Sequence, residues 1–85
     1  MRVKLLFFAS LREQLGTSGE EVELPSEVTT VAALREHLVR RGGAYGKAFG
    51  GKELVRAVVN QYMVQASARI KPGDEVAFFP PVTGG

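Results

Sequence analysis

The chain has 85 residues, 45% of them hydrophobic and 24% charged, with 11 Lys and Arg against 9 Asp and Glu. That length holds one domain, 1–85, able to bury roughly 60–65% of its unfolded surface in a single core, and its scattered charge offers no block of one sign for gripping nucleic acid. Cysteine is absent, which excludes disulfides, thiolate metal sites and an internal sulfur nucleophile.

The opening Met1-Arg2-Val3-Lys4-Leu5-Leu6-Phe7-Phe8-Ala9 is too short an apolar run for a signal peptide, and no segment is long enough to span a bilayer. A cytoplasmic protein with no membrane association is expected. Val3, Leu5 and Phe7 alternate with Arg2, Lys4, Leu6 and Phe8, which predicts a first strand. Its second face turns apolar at Leu6 and Phe8, either against a further core layer or beneath a partner.

Ser10-Leu11-Arg12-Glu13 has the spacing of a capping box and predicts a short helix that Gly16 stops. Glu20 to Pro25 alternates Val22 and Leu24 with Glu21 and Glu23, a half-buried strand returning beside the first. The main helix is expected from Thr29 or Thr30, with Val31, Leu34 and Leu38 on its apolar face, Glu36 and Arg40 paired on its wet side, and Gly42-Gly43 at its end. His37 has no second ligand at metal-binding spacing and reads as a surface helix residue.

Gly42 to Lys52 holds five of the ten glycines and reads as an irregular loop anchored by Tyr45 and Phe49. From Gly46 to Lys52 it has the spacing of a phosphate-binding loop, but Glu53 stands where Ser or Thr must bind magnesium, and its carboxylate would repel phosphate. Leu54 to Asn60 and Gln61 to Val64 predict a third and fourth strand joined near Asn60. Lys71-Pro72-Gly73-Asp74 predicts a type II turn that launches a last strand, Glu75 to Phe79. Helices segregated from a mixed sheet imply an α+β fold.

The chain then ends in Pro80-Pro81-Val82-Thr83-Gly84-Gly85. Two prolines without N–H groups lead the chain out of the sheet in extended form, and two glycines permit a passage too narrow for a Cβ. Residues 79–85 are therefore expected to protrude as a flexible tail whose one reactive group is the Gly85 carboxylate.

The run Asp74-Glu75-Val76-Ala77-Phe78-Phe79-Pro80-Pro81-Val82-Thr83-Gly84-Gly85 resembles the C-terminal signature of the MoaD family, the small subunits of molybdopterin synthase. Leu5-Leu6-Phe7-Phe8-Ala9 with Leu11-Arg12-Glu13, Val31-Ala32-Ala33-Leu34-Arg35 and Val59-Asn60-Gln61 also match that family's pattern. The resemblance implies a ubiquitin-like β-grasp fold, a mixed sheet wrapped around one main helix. It implies a sulfur carrier, not an enzyme in its own right: an activating enzyme similar to the ubiquitin-activating class would spend ATP to adenylate Gly85, and a sulfur donor would displace AMP to leave a thiocarboxylate. The large synthase subunit, in a heterotetramer by analogy, would use that sulfur to build the dithiolene of molybdopterin from a cyclic pyranopterin monophosphate, with the catalytic groups on its own chain. No cofactor would be held permanently.

On this reading Gly84, Thr83, Val82 and Pro81 thread the partner's channel, and Phe8, Leu6, Phe78, Phe79 and Pro80 are interface candidates; alternation alone does not decide which Phe faces outward. The same tail would also suit a sulfur carrier for thiamine or tRNA thiolation, or a protein modifier that joins Gly85 to lysine amines.

Overall fold

The computed structural model describes residues 1–51 and 55–80. Its strands are β1 (Arg2–Phe7), β2 (Gly19–Glu23), β3 (Arg56–Val59), β4 (Tyr62–Val64) and β5 (Glu75–Phe79); its helices are α1 (Ala9–Leu15), α2 (Val31–Val39) and α3 (Gly43–Gly50). One five-stranded sheet has the order β2-β1-β5-β3-β4. The β1–β5 pair is parallel and the other pairs are antiparallel, so the sheet is mixed, as expected. It grips α2, whose Val31, Leu34 and Leu38 are buried on the inner face of the sheet.

The first strand keeps its period to the end. Val3, Leu5 and Phe7 are buried, and the Phe8 N–H still donates to the Phe78 carbonyl at 3.2 Å. That bond holds Phe8 extended, so the turn into α1 falls at Ala9, with φ +52°, and Leu11 N–H bonds the Phe8 carbonyl at 3.1 Å. The predicted capping box is therefore absent: Phe8 occupies the cap position with no side-chain hydrogen bond, and Ser10 lies exposed inside the first turn. Gly16 stops the helix as expected, at φ +72° with its N–H on the Arg12 carbonyl.

Thr30 caps α2, its Oγ1 accepting from Ala33 N–H at 3.1 Å. Two further orphan donors of the first turn, Val31 and Ala32 N–H, bond the carbonyls of Ala68 and Ala66, which ties the segment after β4 across the helix start. The expected Glu36–Arg40 ion pair is not formed among the described residues. Arg41 pairs instead with Glu20 at 2.6 Å and lies over the Tyr45 ring at 4.9 Å, linking β2 to α3.

The stretch expected to be an irregular loop is mostly helix. Residues Gly43–Gly50 form α3 because Phe49 and Tyr45, four apart, reach the same aromatic core: Phe49 meets Phe78 edge-on at 5.1 Å and Phe7 at 6.1 Å, and Tyr45 meets Phe7 at 6.2 Å. Tertiary contact overrides a glycine-rich sequence of low intrinsic helix propensity. Gly46 to Gly50 being helical also removes the phosphate-loop geometry; Lys52, Glu53 and Leu54 lie outside the described residues.

Asn60 and Gln61 both adopt positive φ, +49° and +73°, in a two-residue turn of the kind that matches strand twist, with Val59 paired to Tyr62. Asn60 is held by its own side chain, which donates to Asp74 Oδ1 at 2.8 Å and accepts from Glu75 N–H at 2.9 Å. The Lys71–Asp74 turn carries Gly73 at φ +86° and closes with Asp74 N–H on the Lys71 carbonyl. From it β5 enters the centre of the sheet.

Candidate functional site

The site is built where β5 leaves the sheet. Val76 and Phe78 face inward and are wholly buried, so the neighbouring Ala77 and Phe79 face the opposite side. Phe78 was an interface candidate on sequence; with no exposed surface it is instead a core residue, stacked near Phe7 at 6.4 Å. Phe79 is half-buried and lies flat on Phe8, ring centroids 4.5 Å apart and planes 3° from parallel. Phe8 is 37% exposed, among the few large hydrophobic side chains left in the open.

Register extends this pair into a surface. Leu6 lies opposite Ala77, Ala77 opposite Val58, and Val58 opposite Met63, which sets one apolar residue from each of four strands in a row across the outer face. Met63 is 68% exposed, while Ala77 is shielded by its taller neighbours. Sequence reasoning named Leu6, Phe8, Phe79 and Pro80 on this face but missed Val58, Ala77 and Met63. The alternation of Ala57 and Val59 with Val58 was the available signal, and the antiparallel turn at Asn60-Gln61 then fixes Met63 beside Val58.

Charge separates the two ends of the face. Away from the tail, Arg2 is opposite Glu23, and Lys4 is opposite Glu21 on one side and Glu75 on the other. At the tail end the apolar row and the Phe8–Phe79 stack are joined by Arg56, directly across from Phe79. Monomeric proteins seldom leave a contiguous apolar patch beside a chain exit without a partner for it.

Pro80 is half-buried and forms one wall of a small recess, about 120 Å³, with Ser10, Leu11, Gln14, Lys47 and Val55. The chain therefore departs from the sheet after Phe79, which remains paired to Arg56, one residue later than the expected start of the tail. Pro81, Val82, Thr83, Gly84 and Gly85 lie outside the described residues.

Among the described residues no group of three or more His, Asp and Glu side chains is placed to hold a metal ion, and no helix is long and apolar enough to cross a membrane. What the arrangement offers chemically is a centrally anchored strand that ends beside an apolar outer face.

Comparison with known proteins agrees with this geometry. Residues 5–85 match the model of the ThiS family. A relative named molybdopterin synthase sulfur carrier subunit, from Escherichia coli strain K12, is 45% identical over 83 residues, covering 98% of this chain and 99% of its own. Among solved structures, a putative molybdopterin converting factor subunit 1 from Pyrococcus furiosus superposes with a TM-score of 0.78 at 34% identity, over 96% of this chain and 99% of that one. The small archaeal modifier protein 1 of Haloferax volcanii gives 0.75 at 27% identity, over 95% and 98%. The β-grasp expected from the C-terminal motif is thus the fold; among the described residues α3 is added to the short helix and the main helix that were expected. The chain belongs to the ThiS family and, within it, to the small, sulfur-carrying subunits of molybdopterin synthase.

Proposed function

We propose that this chain carries sulfur as a thiocarboxylate at Gly85 and gives it up inside the large subunit of molybdopterin synthase, where the dithiolene of molybdopterin is formed. The observation that carries the reading is the Phe8–Phe79 stack: an exposed aromatic platform at the root of a Gly-Gly tail, continuous with an apolar row across four strands. A free carboxylate is a poor acyl donor because its carbon is electron-rich and oxide is a poor leaving group. Attack by a Gly85 oxygen on the α-phosphorus of ATP, with release of pyrophosphate, gives an acyl adenylate on the activating enzyme. A donor supplying sulfur at the oxidation level of hydrosulfide then adds to the carbonyl carbon and expels AMP.

The thiocarboxylate sulfur is the nucleophile this cysteine-free chain otherwise lacks. Pro81 to Gly84 thread it into the large subunit, Leu6, Phe8, Phe79 and Pro80 dock the body, and once the sulfur has bonded to the substrate, water cleaves the acyl–sulfur bond and returns Gly85 to a carboxylate. The large subunit supplies the acid, base and phosphate-binding groups. Two carriers and two large subunits in one heterotetramer would let both active sites be served at once.

The test mixes protein bearing a synthetic Gly85 thiocarboxylate with the large subunit and the cyclic pterin precursor, using the plain carboxylate form as control. Dithiolene product from the thiocarboxylate form alone is the expected result. Absence of product, with the large subunit active toward a known carrier, would turn the reading toward thiamine or tRNA thiolation. Isopeptide adducts to lysine in cell extracts would point instead to a protein modifier.

A further inference from the structure

At the end of β4 the sheet carries a notch. β3 begins at Arg56, but its pairing with β4 starts only at Ala57, opposite Val64, so one edge of Arg56 is open while the other pairs with Phe79. The notch is a recess of about 270 Å³ with apolar walls from Val31, Val55, Met63 and Val64, and two arginines, Arg35 and Arg56, among its lining residues. Neither arginine has an ion-pair partner among the described residues. Arg35 uses one N–H on the Phe49 carbonyl at 3.2 Å, and its buried Nε has no acceptor among those residues. Two arginines beside apolar walls, neither paired to a carboxylate among the described residues, form a surface complementary to an acid.

The notch is not isolated. Met63 belongs both to its rim and to the outer apolar row, and Arg56 lies across from Phe79 at the root of the tail. A protein that covers the Phe8–Phe79 platform therefore reaches this recess without a gap. We propose that Arg56, supported by Arg35, is a specificity-determining residue that receives an acidic side chain of the large subunit at the rim of the docking face. The proposal rests on the reading of the outer face as that subunit's docking surface. An aspartate or glutamate anchored here adds direction to an apolar interface that by itself discriminates poorly between partners sharing a greasy face.

The experiment measures affinity of the full chain for the large subunit from the same organism, as a function of salt, for wild type, Arg56→Glu, Arg56→Lys and Phe79→Ser. Arg56 is exposed, so the substitutions leave the fold intact, which a thermal melt verifies. Arg56→Glu is expected to weaken binding at least tenfold and to flatten the salt dependence, with Arg56→Lys between it and wild type; a large subunit with one interface acid changed to Lys should recover binding to Arg56→Glu. If Phe79→Ser abolishes binding while Arg56→Glu does not change it, the notch has no role and this inference falls alone. If neither variant changes binding, the docking face itself is wrong. A Glu53→Gln variant completes the set: a tenfold gain in affinity would mean that the chain's own carboxylate fills the notch, which also overturns the proposal.

Discussion

The rings of Phe8 and Phe79 lie parallel at 4.5 Å although one follows β1 and the other ends β5, and directly behind them, on the opposite face of the same two strands, Phe7 and Phe78 form a second aromatic pair. Adjacent residues thus divide the labour. Phe78→Ala empties a fully buried site and is expected to cost about 3–5 kcal/mol, a large part of the roughly 5–15 kcal/mol that holds a small domain together. Phe79→Ala forfeits a half-exposed stack worth about 0.5–1.5 kcal/mol and should stay folded while losing the large subunit. Urea denaturation paired with a binding assay separates the two; equal destabilisation would contradict the division into an inner and an outer pair.

Removing Gly85 should abolish sulfur loading while shifting stability by no more than about 0.5 kcal/mol, the range typical of surface changes. Mass spectrometry after incubation with the activating enzyme, ATP and a sulfur source reads the loading. Gly84→Val keeps the terminal carboxylate, so it should still be adenylated yet transfer sulfur poorly to the large subunit; transfer at the wild-type rate would mean that no narrow passage receives the tail.

Gly19 is the last residue paired to β1, opposite Leu6, and a Cβ there would collide with the backbone carbonyl oxygen of Leu5 and press on a Leu6 methyl at 3.2 Å. A backbone atom cannot step aside without opening the β1–β2 ladder. Gly19→Ala should therefore cost about 1–3 kcal/mol and, because Leu6 borders the docking face, weaken partner binding as well. A lowered melting temperature with unchanged affinity would show that the strain stays within the hairpin.

Thr30→Ala removes the hydrogen bond to Ala33 N–H at the start of α2 and should cost about 1 kcal/mol, which in a domain of this size is roughly 4–8 °C in melting temperature. Thr30→Ser should restore most of it. Sulfur transfer by the folded protein should not change, since the cap lies apart from the outer face.

Much of this organisation was legible in the chain itself because single residues carried it: Gly73 in the turn before β5, Gly16 at the end of α1, Thr30 before α2, and the alternation of Val3, Leu5 and Phe7. Legibility failed where tertiary contact outweighed local preference. Tyr45 and Phe49 stand at helical spacing, but three glycines between 43 and 50 hid the helix that the Phe7–Phe78 cluster recruits. Ser10 has the chemistry of a cap, yet the ladder bond from Phe8 to Phe78 moves the helix start two residues earlier. Val76 to Phe79 is apolar throughout, so inner and outer residues of β5 were settled only by its neighbours.

Central placement of β5 also has a mechanical consequence. The strand is hydrogen-bonded on one side to β1, in parallel, and on the other to β3. A pull on the C-terminal end acts along the strand and loads both ladders in shear, so that their bonds must yield together instead of opening one by one. On the proposed cycle, in which other proteins grip and withdraw the C-terminal end, this arrangement would protect the domain from being unravelled through the very segment they handle.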